Sequence, residues 1–156
     1  MPQLFGIGTS VFVQNGGGEI LILKRTHSAD AAWYVPGGGI EGGELPDECA
    51  RRVLKLETGL DISGPMQLVA VTPMFAYDQD IFLLGYAGKH GSGDVALSED
   101  HEAHRWLAPQ EYKDAYFSDE QVNIIKQENE VAAEMATSVR AELDAYLDWL
   151  TRRGGI

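Results

Sequence analysis

Residues 36–60, PGGGIEGGELPDECARRVLKLETGL, combine a glycine-rich stretch with a glutamate among apolar residues. Projected at about 100° per residue, a helix from Pro46 to Gly59 places Glu57 in the middle of an apolar arc. The other members of this arc are Cys49, Ala50, Val53, Leu54 and Leu56, and the opposite side carries Asp47, Glu48, Arg51, Arg52, Lys55 and Thr58. Because an unpaired carboxylate facing a core is costly, we expect Glu57 to have a cation, a strong donor or a raised pKa.

The bulk composition is that of an ordinary globular protein with an acidic surface. Of the 156 residues, 44% are hydrophobic and 23% are charged, and 24 Asp and Glu outnumber 12 Lys and Arg. A formal net charge of −12 disfavours nonspecific binding to nucleic acid or to an acidic membrane. If the ligand is an anion, a divalent metal or a small arginine cluster must make the electrostatic potential positive at the binding site.

The cysteine content and the first residues favour a cytoplasmic protein. Cys49 alone cannot form an internal disulfide, and no CxxC or Cys/His cluster indicates structural zinc. The opening MPQLFGIGTSVFV has no basic leader region, and no apolar run approaches membrane-spanning length. We therefore expect a cytoplasmic protein that does not associate with membranes.

Apolar runs divided by turn signals predict strands on both sides of the glycine-rich segment. The predicted strands are LFGIGTSVFVQ, EILILKR, a short WYV, MQLVAVTPMFAY, DIFLLGYAG and HRWL. The predicted loops are THSADA, the glycines at 37–39 and 42–43, and KHGSGDVALSED. Between them, Pro46 suits the first turn of a helix, and Gly59 suits its C-terminal cap.

The last third of the chain predicts helices. PQEYKDA is typical of a helical turn, and Ser118 with Gln121 forms a capping box. From there to Arg153 no Gly or Pro interrupts the chain, and apolar residues recur at three- and four-residue spacing. These residues are Ala132, Met135, Val139, Leu143, Tyr146 and Leu150. They predict one long helix or two stacked helices, with the stripe as core or a dimer face in preference to a ligand-binding surface.

The glycine-rich stretch and its helix resemble the Nudix box, G-x5-E-x7-R-E-U-x-E-E-x-G-U, in which U is a bulky aliphatic residue. The matching positions are Gly38, Glu44, Arg52, Leu54, Glu57, Gly59 and Leu60, and the flanking Trp33, Pro36 and Gly37 agree as well. The resemblance implies a Nudix-type α/β/α sandwich with a mixed sheet and a long C-terminal helix. With no repeat or linker, we predict one domain over 1–156, with a core of about 3–125 and a helical extension of about 118–153. Homodimers are common in this family, so a homodimer is expected as well.

Two box positions depart from the family pattern. Val53 replaces the glutamate after the arginine, and Leu56 replaces the first glutamate of the pair. Glutamates at 53, 56 and 57 would share one helix face through their i, i+3 and i+4 spacing. With a single carboxylate on that face, we expect one metal ion instead of two or three, and a base from elsewhere in the chain.

These departures resemble the GDP-mannose mannosyl hydrolase branch of Nudix proteins, which cleaves the carbon–oxygen bond of the sugar. The chain is similar to that branch in KRTHSADAAWYVPGG and in LSEDHEAHRWL. Gly39, however, replaces an arginine of that branch, and a loop between the later strands is shorter. The resemblance implies a Mg²⁺-dependent hydrolase, with Mn²⁺ as an alternative ion and a small nucleotide as substrate.

The same resemblance implies a set of metal ligands around Glu57. Asp100 or Glu99 and the carbonyl of Gly37 would complete it. Such a set suits Mg²⁺, which takes oxygen ligands in octahedral geometry and usually retains waters or substrate phosphates.

The resemblance also implies the catalytic and substrate-binding residues. His101 would act as general base, since an unperturbed imidazole pKa of about 6.5 suits that task at neutral pH. Arg25 and Arg52 would position the anion, and Gly38 and Gly39 would contact the substrate.

Each of these residues also has a structural interpretation. Glu57 could form a buried ion pair with Arg52 or Arg25, and Arg52 is expected to pair mainly with Glu44. Arg25 could be a surface charge instead of a bidentate phosphate clamp, and His101 could be a solvated loop residue.

Three functional hypotheses follow from the sequence. The first is a hydrolase of a nucleoside diphosphate linked to another moiety, with a nucleotide sugar as the preferred candidate. The second is an ordinary Nudix pyrophosphohydrolase, in which Glu99 and Asp100 take over metal binding. The third is a noncatalytic nucleotide-binding domain, consistent with apolar residues at Val53 and Leu56.

Overall fold

The computed structural model describes residues 2–26, 33–76, 78–128 and 130–153. In chain order its elements are β1 (Gly6–Gln14), β2 (Ile20–Arg25), β3 (Trp33–Tyr34), β4 (Gly37–Gly39), α1 (Pro46–Thr58), β5 (Asp61–Ala76), β6 (Gln79–Ser92), β7 (His101–Leu107), α2 (Pro109–Tyr116), α3 (Asp119–Glu128) and α4 (Glu130–Arg152). Most of the predicted THSADA loop lies outside the described residues.

The strands form one mixed sheet. Its main order is β3-β2-β1-β6-β5, with β4 paired to β1 and β7 paired to β2. Strands β1 and β6 run parallel, from the pair Gly6 and Ile81 to the pair Gln14 and Lys89. The other pairings are antiparallel. The mixed sheet predicted from the sequence is therefore confirmed.

Helices cover both faces of this sheet. On one face Ala50 and Leu54 of α1 pack with Val11 and Val13 of β1. On the other face Phe12 belongs to a second cluster, with the following residues of β2, α2 and α4: Ile20, Ile22, Tyr112, Leu143 and Tyr146. Because neighbouring residues of a strand point to opposite faces, β1 supplies both cores. This arrangement is the predicted three-layer α/β/α sandwich.

Helix α1 begins and ends where the sequence predicts, but its buried arc is rotated. Gly59 caps it with φ 73°, and its backbone N–H donates to Lys55 O at 2.9 Å. Thr58, predicted on the polar side, is fully buried, and Leu56, predicted on the apolar arc, is 68% exposed. Because the helix packs with Glu57 near the centre of its inner face, Leu56 falls beyond the edge of that face and Thr58 falls within it.

The glycines at 37–39 form strand β4 instead of the predicted loop. They pair with residues 8–10 of β1, Ser10 lying opposite Gly37. A Cβ atom on Gly37 would lie 2.5 Å from Thr9 O, and one on Gly38 would lie 3.0 Å from Val53 Cγ2. The absence of side chains thus lets the strand pack closely between β1 and helix α1.

The remaining differences concern the lengths of the elements. Strands β5 and β6 extend over 61–65 and 89–92, which the sequence did not predict as strand, because these segments pair with each other. The C-terminal region contains two helices, the second of the two predicted arrangements, and Ser118 Oγ accepts from Gln121 N at 3.2 Å. Of the helices that the structure describes, none is long and apolar enough to cross a bilayer.

Candidate active site

The end of helix α1 anchors the segment that carries the predicted loop residues. Ser98 N donates to Glu57 O at 3.1 Å, and Ala96 N donates to Thr58 O at 2.8 Å. The last carbonyls of a helix lack intrahelical partners, so these two hydrogen bonds satisfy them. On the far side Thr26 N donates to Asp100 O at 2.8 Å. The start of β7 is thereby held beside the C-terminal end of α1.

This anchoring places His101 beside Glu57. His101 Nε2 lies 3.8 Å from Glu57 Oε2, and the two side chains are only 8% and 16% exposed. The other ring nitrogen, Nδ1, lies 3.4 Å from Ser98 Oγ. The predicted solvated loop histidine is therefore a residue largely shielded from water, in contact with the box carboxylate.

The electrostatic environment favours the neutral forms of both groups. Burial raises the pKa of Glu57 to about 7, opposed by a hydrogen bond from the Gly37 backbone and by Arg25, while Asp100 raises it further. Burial and Arg25 lower the pKa of His101, and Asp100 opposes them. Because the imidazole is neutral at neutral pH, its contact with Glu57 is not an ion pair. The raised pKa expected for Glu57 is present.

Arg52 forms the expected pair with Glu44. Its Nε donates to Glu44 Oε2 at 2.6 Å, its Nη2 donates to Glu44 Oε1 at 3.0 Å, and Nη2 also reaches Gly39 O at 3.1 Å. The hydrogen bond from Arg52 is the main reason that the pKa of Glu44 is lowered to about 2. Arg52 therefore stabilises the turn before α1, and its predicted role on the substrate stays a prediction.

Arg25 is the cation that faces Glu57 and His101 without an ion pair to either. Within the described part of the chain, no lysine or arginine nitrogen lies within 4.0 Å of the Glu57 carboxylate. The guanidinium of Arg25 lies 5.9 Å from the centre of the Tyr34 ring. The ion-pair interpretation of Glu57 is thus wrong for both candidate arginines, and the charge of Arg25 is available to an anion.

Side-chain oxygens near Glu57 are the candidate ligands for one hard cation. Asp100 is close enough to raise the pKa of Glu57, and Asp100 and Glu99 lie exposed in one turn. Among the described residues no group of three His, Cys, Asp or Glu could hold a metal ion by itself. Val53 is 4% exposed beneath Gly38, and Leu56 points outward, so neither altered box position faces this site. A bound ion would need oxygens from substrate and water.

A cavity of about 580 Å³ adjoins the Glu57 and His101 pair. Of the predicted site residues it is lined by Arg25, Gly37, Gly38, Gly39, Glu57 and His101. Arg52, Glu99 and Asp100 are not among its lining residues. The structure therefore brings the predicted base, the box carboxylate and one arginine into a common space, with the acidic turn beside it.

Helix α4 supplies cavity residues that the sequence analysis did not assign to a site. Met135, Val139 and Glu142 line the cavity, whereas Leu143 and Tyr146 belong to the core as predicted. Val139 also packs against the core as predicted, and a ligand-binding role for the stripe stays a prediction. Glu142 interrupts the apolar stripe as Glu57 interrupts that of α1, and this is the signal that could have identified it.

Comparison with known proteins identifies the family and supports the fold. Residues 4–127 match the NUDIX domain family. The E. coli ORF135 protein superposes with a TM-score of 0.69 at 20% identity, over 97% of this chain and 94% of that chain. A C. elegans Ap4A hydrolase, solved as a binary complex, superposes with a TM-score of 0.66 at 16% identity, over 94% of this chain and 98% of that chain.

Several curated relatives carry the name RNA pyrophosphohydrolase, and three of them illustrate the extent of the match. That of Cereibacter sphaeroides is 33% identical over 117 residues, covering 62% of this chain and 72% of that protein. That of Gluconobacter oxydans is 27% identical over 128 residues, covering 70% of this chain and 74% of that protein. That of Roseobacter denitrificans is 43% identical over 51 residues, covering 33% of this chain and 32% of that protein.

The chain belongs to the Nudix family. It is a hydrolase with the Nudix α/β/α sandwich fold, and Nudix hydrolases generally use divalent metals such as Mg²⁺. The names of these relatives and structures do not point to the GDP-mannose mannosyl hydrolase branch.

Proposed function

We propose that this Nudix hydrolase cleaves a nucleoside diphosphate linked to another moiety, with a nucleotide sugar as the first candidate. The observation that carries the proposal is the position of His101, 3.8 Å from Glu57 at a cavity of about 580 Å³. Helix α1 presents only one carboxylate, that of Glu57, to the cavity. Because we assign Glu57 to the metal, a second group must accept the proton of the attacking water. His101 lies beside Glu57 and lines the cavity, so it is the group that we assign as the base.

The hydrogen-bond partners of His101 suit this role. If Nδ1–H donates to Ser98 Oγ, at 3.4 Å, the lone pair of Nε2 faces the cavity and Glu57. Burial keeps the pKa of His101 low, so the imidazole is in the basic form at neutral pH. The backbone hydrogen bond from Ser98 to the end of α1 holds the ring in place.

The metal would be held by Glu57 together with Asp100 or Glu99 and the carbonyl of Gly37. Mg²⁺, or Mn²⁺ in its place, would neutralise the charge that develops on the departing diphosphate. Arg25 would add a second positive charge next to the same phosphates. These groups supply the local reversal of sign that a chain of net charge −12 needs to bind an anion.

In the proposed reaction His101 takes a proton from water while the water oxygen forms a bond to the anomeric carbon. The bond between that carbon and the phosphate oxygen breaks, and its electron pair leaves with the nucleoside diphosphate. The products are a free sugar and a nucleoside diphosphate.

An ordinary pyrophosphohydrolase is the second candidate, and it fits the site about as well. It is favoured by the relatives named RNA pyrophosphohydrolase and by the structural similarity to an Ap4A hydrolase. In that case the water attacks phosphorus, and a nucleoside monophosphate or a phosphate-bearing product is released. The acidic net charge favours a small nucleotide over extended RNA. A cytoplasmic location and a homodimer stay predictions.

Hydrolysis in H₂¹⁸O with Mg²⁺ separates the two candidates. Nucleotide sugars, dinucleoside polyphosphates and nucleoside triphosphates are incubated with the protein, and the products are identified by mass. We expect ¹⁸O in the free sugar and none in the nucleoside diphosphate. Label in a phosphate group would establish the second candidate. Absence of turnover on every nucleotide sugar would exclude the first.

A further inference from the structure

Glu142 of helix α4 has a buried carboxyl group, and one of its two oxygen atoms accepts no hydrogen bond from the part of the chain that the structure describes. The residue is 2% exposed and lines the same cavity as Glu57. The Ser10 hydroxyl acts on its carboxyl group and lowers its pKa, against the larger effect of burial. Its Oε2 atom has no hydrogen-bond partner within the described ranges. Since buried polar atoms are nearly always paired, this oxygen requires an explanation.

The sheet beneath Glu142 is shaped to receive it. Ser10 of β1 lies directly opposite Gly85 of β6. A Cβ atom on Gly85 would lie 3.3 Å from Glu142 Cδ, which is closer than most such contacts. A hydroxyl at one position and a missing side chain at the other thus accommodate the carboxyl group.

Within the described ranges, no lysine or arginine forms an ion pair with Glu142. Burial raises the pKa of Glu142 to about 7, and only the Ser10 hydrogen bond opposes it. The described cations nearby on α2 and α4 are engaged elsewhere: Arg140 pairs with Asp119 and Asp144, and Lys113 pairs with Asp144. A carboxyl group buried without a cation destabilises the fold. A ligand that donates to it would offset that cost.

Apolar side chains also line this cavity. Met74 of β5, Leu83 of β6, and Met135 and Val139 of α4 line it together with Glu142. Small-molecule sites typically combine apolar walls with a few polar groups that fix orientation. Methionine side chains adapt to flat rings. A planar heterocycle with one or more N–H donors is the chemistry that suits these walls and the carboxyl group of Glu142.

We propose that Glu142 determines base specificity by accepting a hydrogen bond from the exocyclic amino group of a nucleobase. The inference rests on the proposed function, because it assumes a nucleotide whose phosphates lie near Glu57, His101 and Arg25. An amino group can donate to the carboxylate from the cavity that Glu142 lines, whereas a keto oxygen at the same place would face the carboxylate and be repelled. The site therefore prefers cytosine to uracil, and adenine to hypoxanthine.

Binding of nucleoside monophosphates tests this inference without requiring turnover. Affinities for CMP and UMP, and for AMP and IMP, are measured by calorimetry at pH 8, where the carboxylate is ionised. We expect the amino-bearing member of each pair to bind about tenfold or more tightly, as one hydrogen bond to a charged group predicts. Glu142→Met, which keeps an unbranched side chain among methionines, should abolish that difference.

Glu134→Met is the matched control, because Glu134 lies exposed on the same helix. It should leave the preference unchanged. If Glu142→Met does not fold, as judged by its thermal melt, Glu142→Leu replaces it. Equal affinities within both pairs, no binding of any monophosphate, or an unchanged preference in the Glu142 variant would overturn the inference.

The two proposals can fail separately in these experiments. A base preference that depends on Glu142, without hydrolysis of nucleotide sugars, would refute the proposed reaction and support the assignment of Glu142. Hydrolysis without any base preference would do the opposite.

Discussion

His101 Nε2 lies 3.8 Å from Glu57 Oε2, where the first residue of strand β7 meets the last turn of helix α1. The contact is maintained by backbone hydrogen bonds of the intervening segment, among them that from Ser98 N to Glu57 O at 3.1 Å. The contact between His101 and Glu57 does not depend on opposite charges, since the imidazole is neutral. The pair is therefore available for proton transfer and metal binding instead of being used in an ion pair.

Replacing His101 by glutamine should lower kcat about 100-fold or more, because the proton acceptor of the attacking water is lost. Nucleotide binding should be retained, since the amide keeps the size and polarity of the side chain. Steady-state kinetics and calorimetric affinities measure the two effects. His104→Gln is the control, because His104 lies exposed on the same strand. Equal turnover in His101→Gln and wild type would contradict the assignment.

Replacing Glu57 by glutamine should weaken Mg²⁺ binding about tenfold or more without unfolding the protein, because the proposed carboxylate ligand is removed. The measurement is the thermal shift produced by Mg²⁺ with a nucleoside diphosphate, at increasing metal concentration. Glu99→Gln and Asp100→Asn, tested in the same way, show which residue of the exposed turn is the second ligand. An unaltered Mg²⁺ dependence in Glu57→Gln would exclude Glu57 as a ligand.

Restoring the two box glutamates should have unequal effects on stability. Val53→Glu buries a carboxyl group against Gly38 and should lower the free energy of unfolding by about 3 kcal/mol. Leu56→Glu alters a side chain that is 68% exposed and should change it by less than about 0.5 kcal/mol. Urea unfolding measures both. A stable Val53→Glu variant would mean that this face still has room for further ligands.

We expect Glu142→Met to be more stable than wild type, because the variant removes a buried carboxyl group. The size of this increase should depend on pH. The pKa of Glu142 is about 7 in the folded protein and 4.5 for the unperturbed group, so the folded state holds a proton that the unfolded state has lost. Wild-type stability attributable to this group therefore falls as pH rises from 4.5 to 7. The difference between variant and wild type should grow by up to about 3 kcal/mol between these limits.

Urea unfolding at pH 4.5 and at pH 8 measures this difference. Glu134→Met should show no such pH dependence, because its side chain is exposed in both states. A constant difference between Glu142→Met and wild type would show that the carboxyl group is not desolvated.

Local features of the sequence determined the elements that carry the site. Proline at the first turn and Gly59 at the end were sufficient to predict helix α1, because caps act within a few residues. Alternating and continuous apolar runs predicted the positions of β1, β2 and β6, because such a pattern is also a property of a few neighbouring residues. The match of the box residues, spread over one strand and one helix, predicted the family, and Glu57 was identified as a site residue by its position on an apolar arc.

Contacts between distant segments decided the rest. Leu56 and Thr58 exchange their predicted environments because the orientation of α1 is set by β1 and β4, and the glycines at 37–39 form a strand because β1 supplies their partners. Glu142 lines the cavity because α4 crosses the sheet near Ser10 and Gly85. Sequence periodicity reports which face of an element is apolar, whereas burial, pairing and the lining of a cavity depend on what the fold brings against that face.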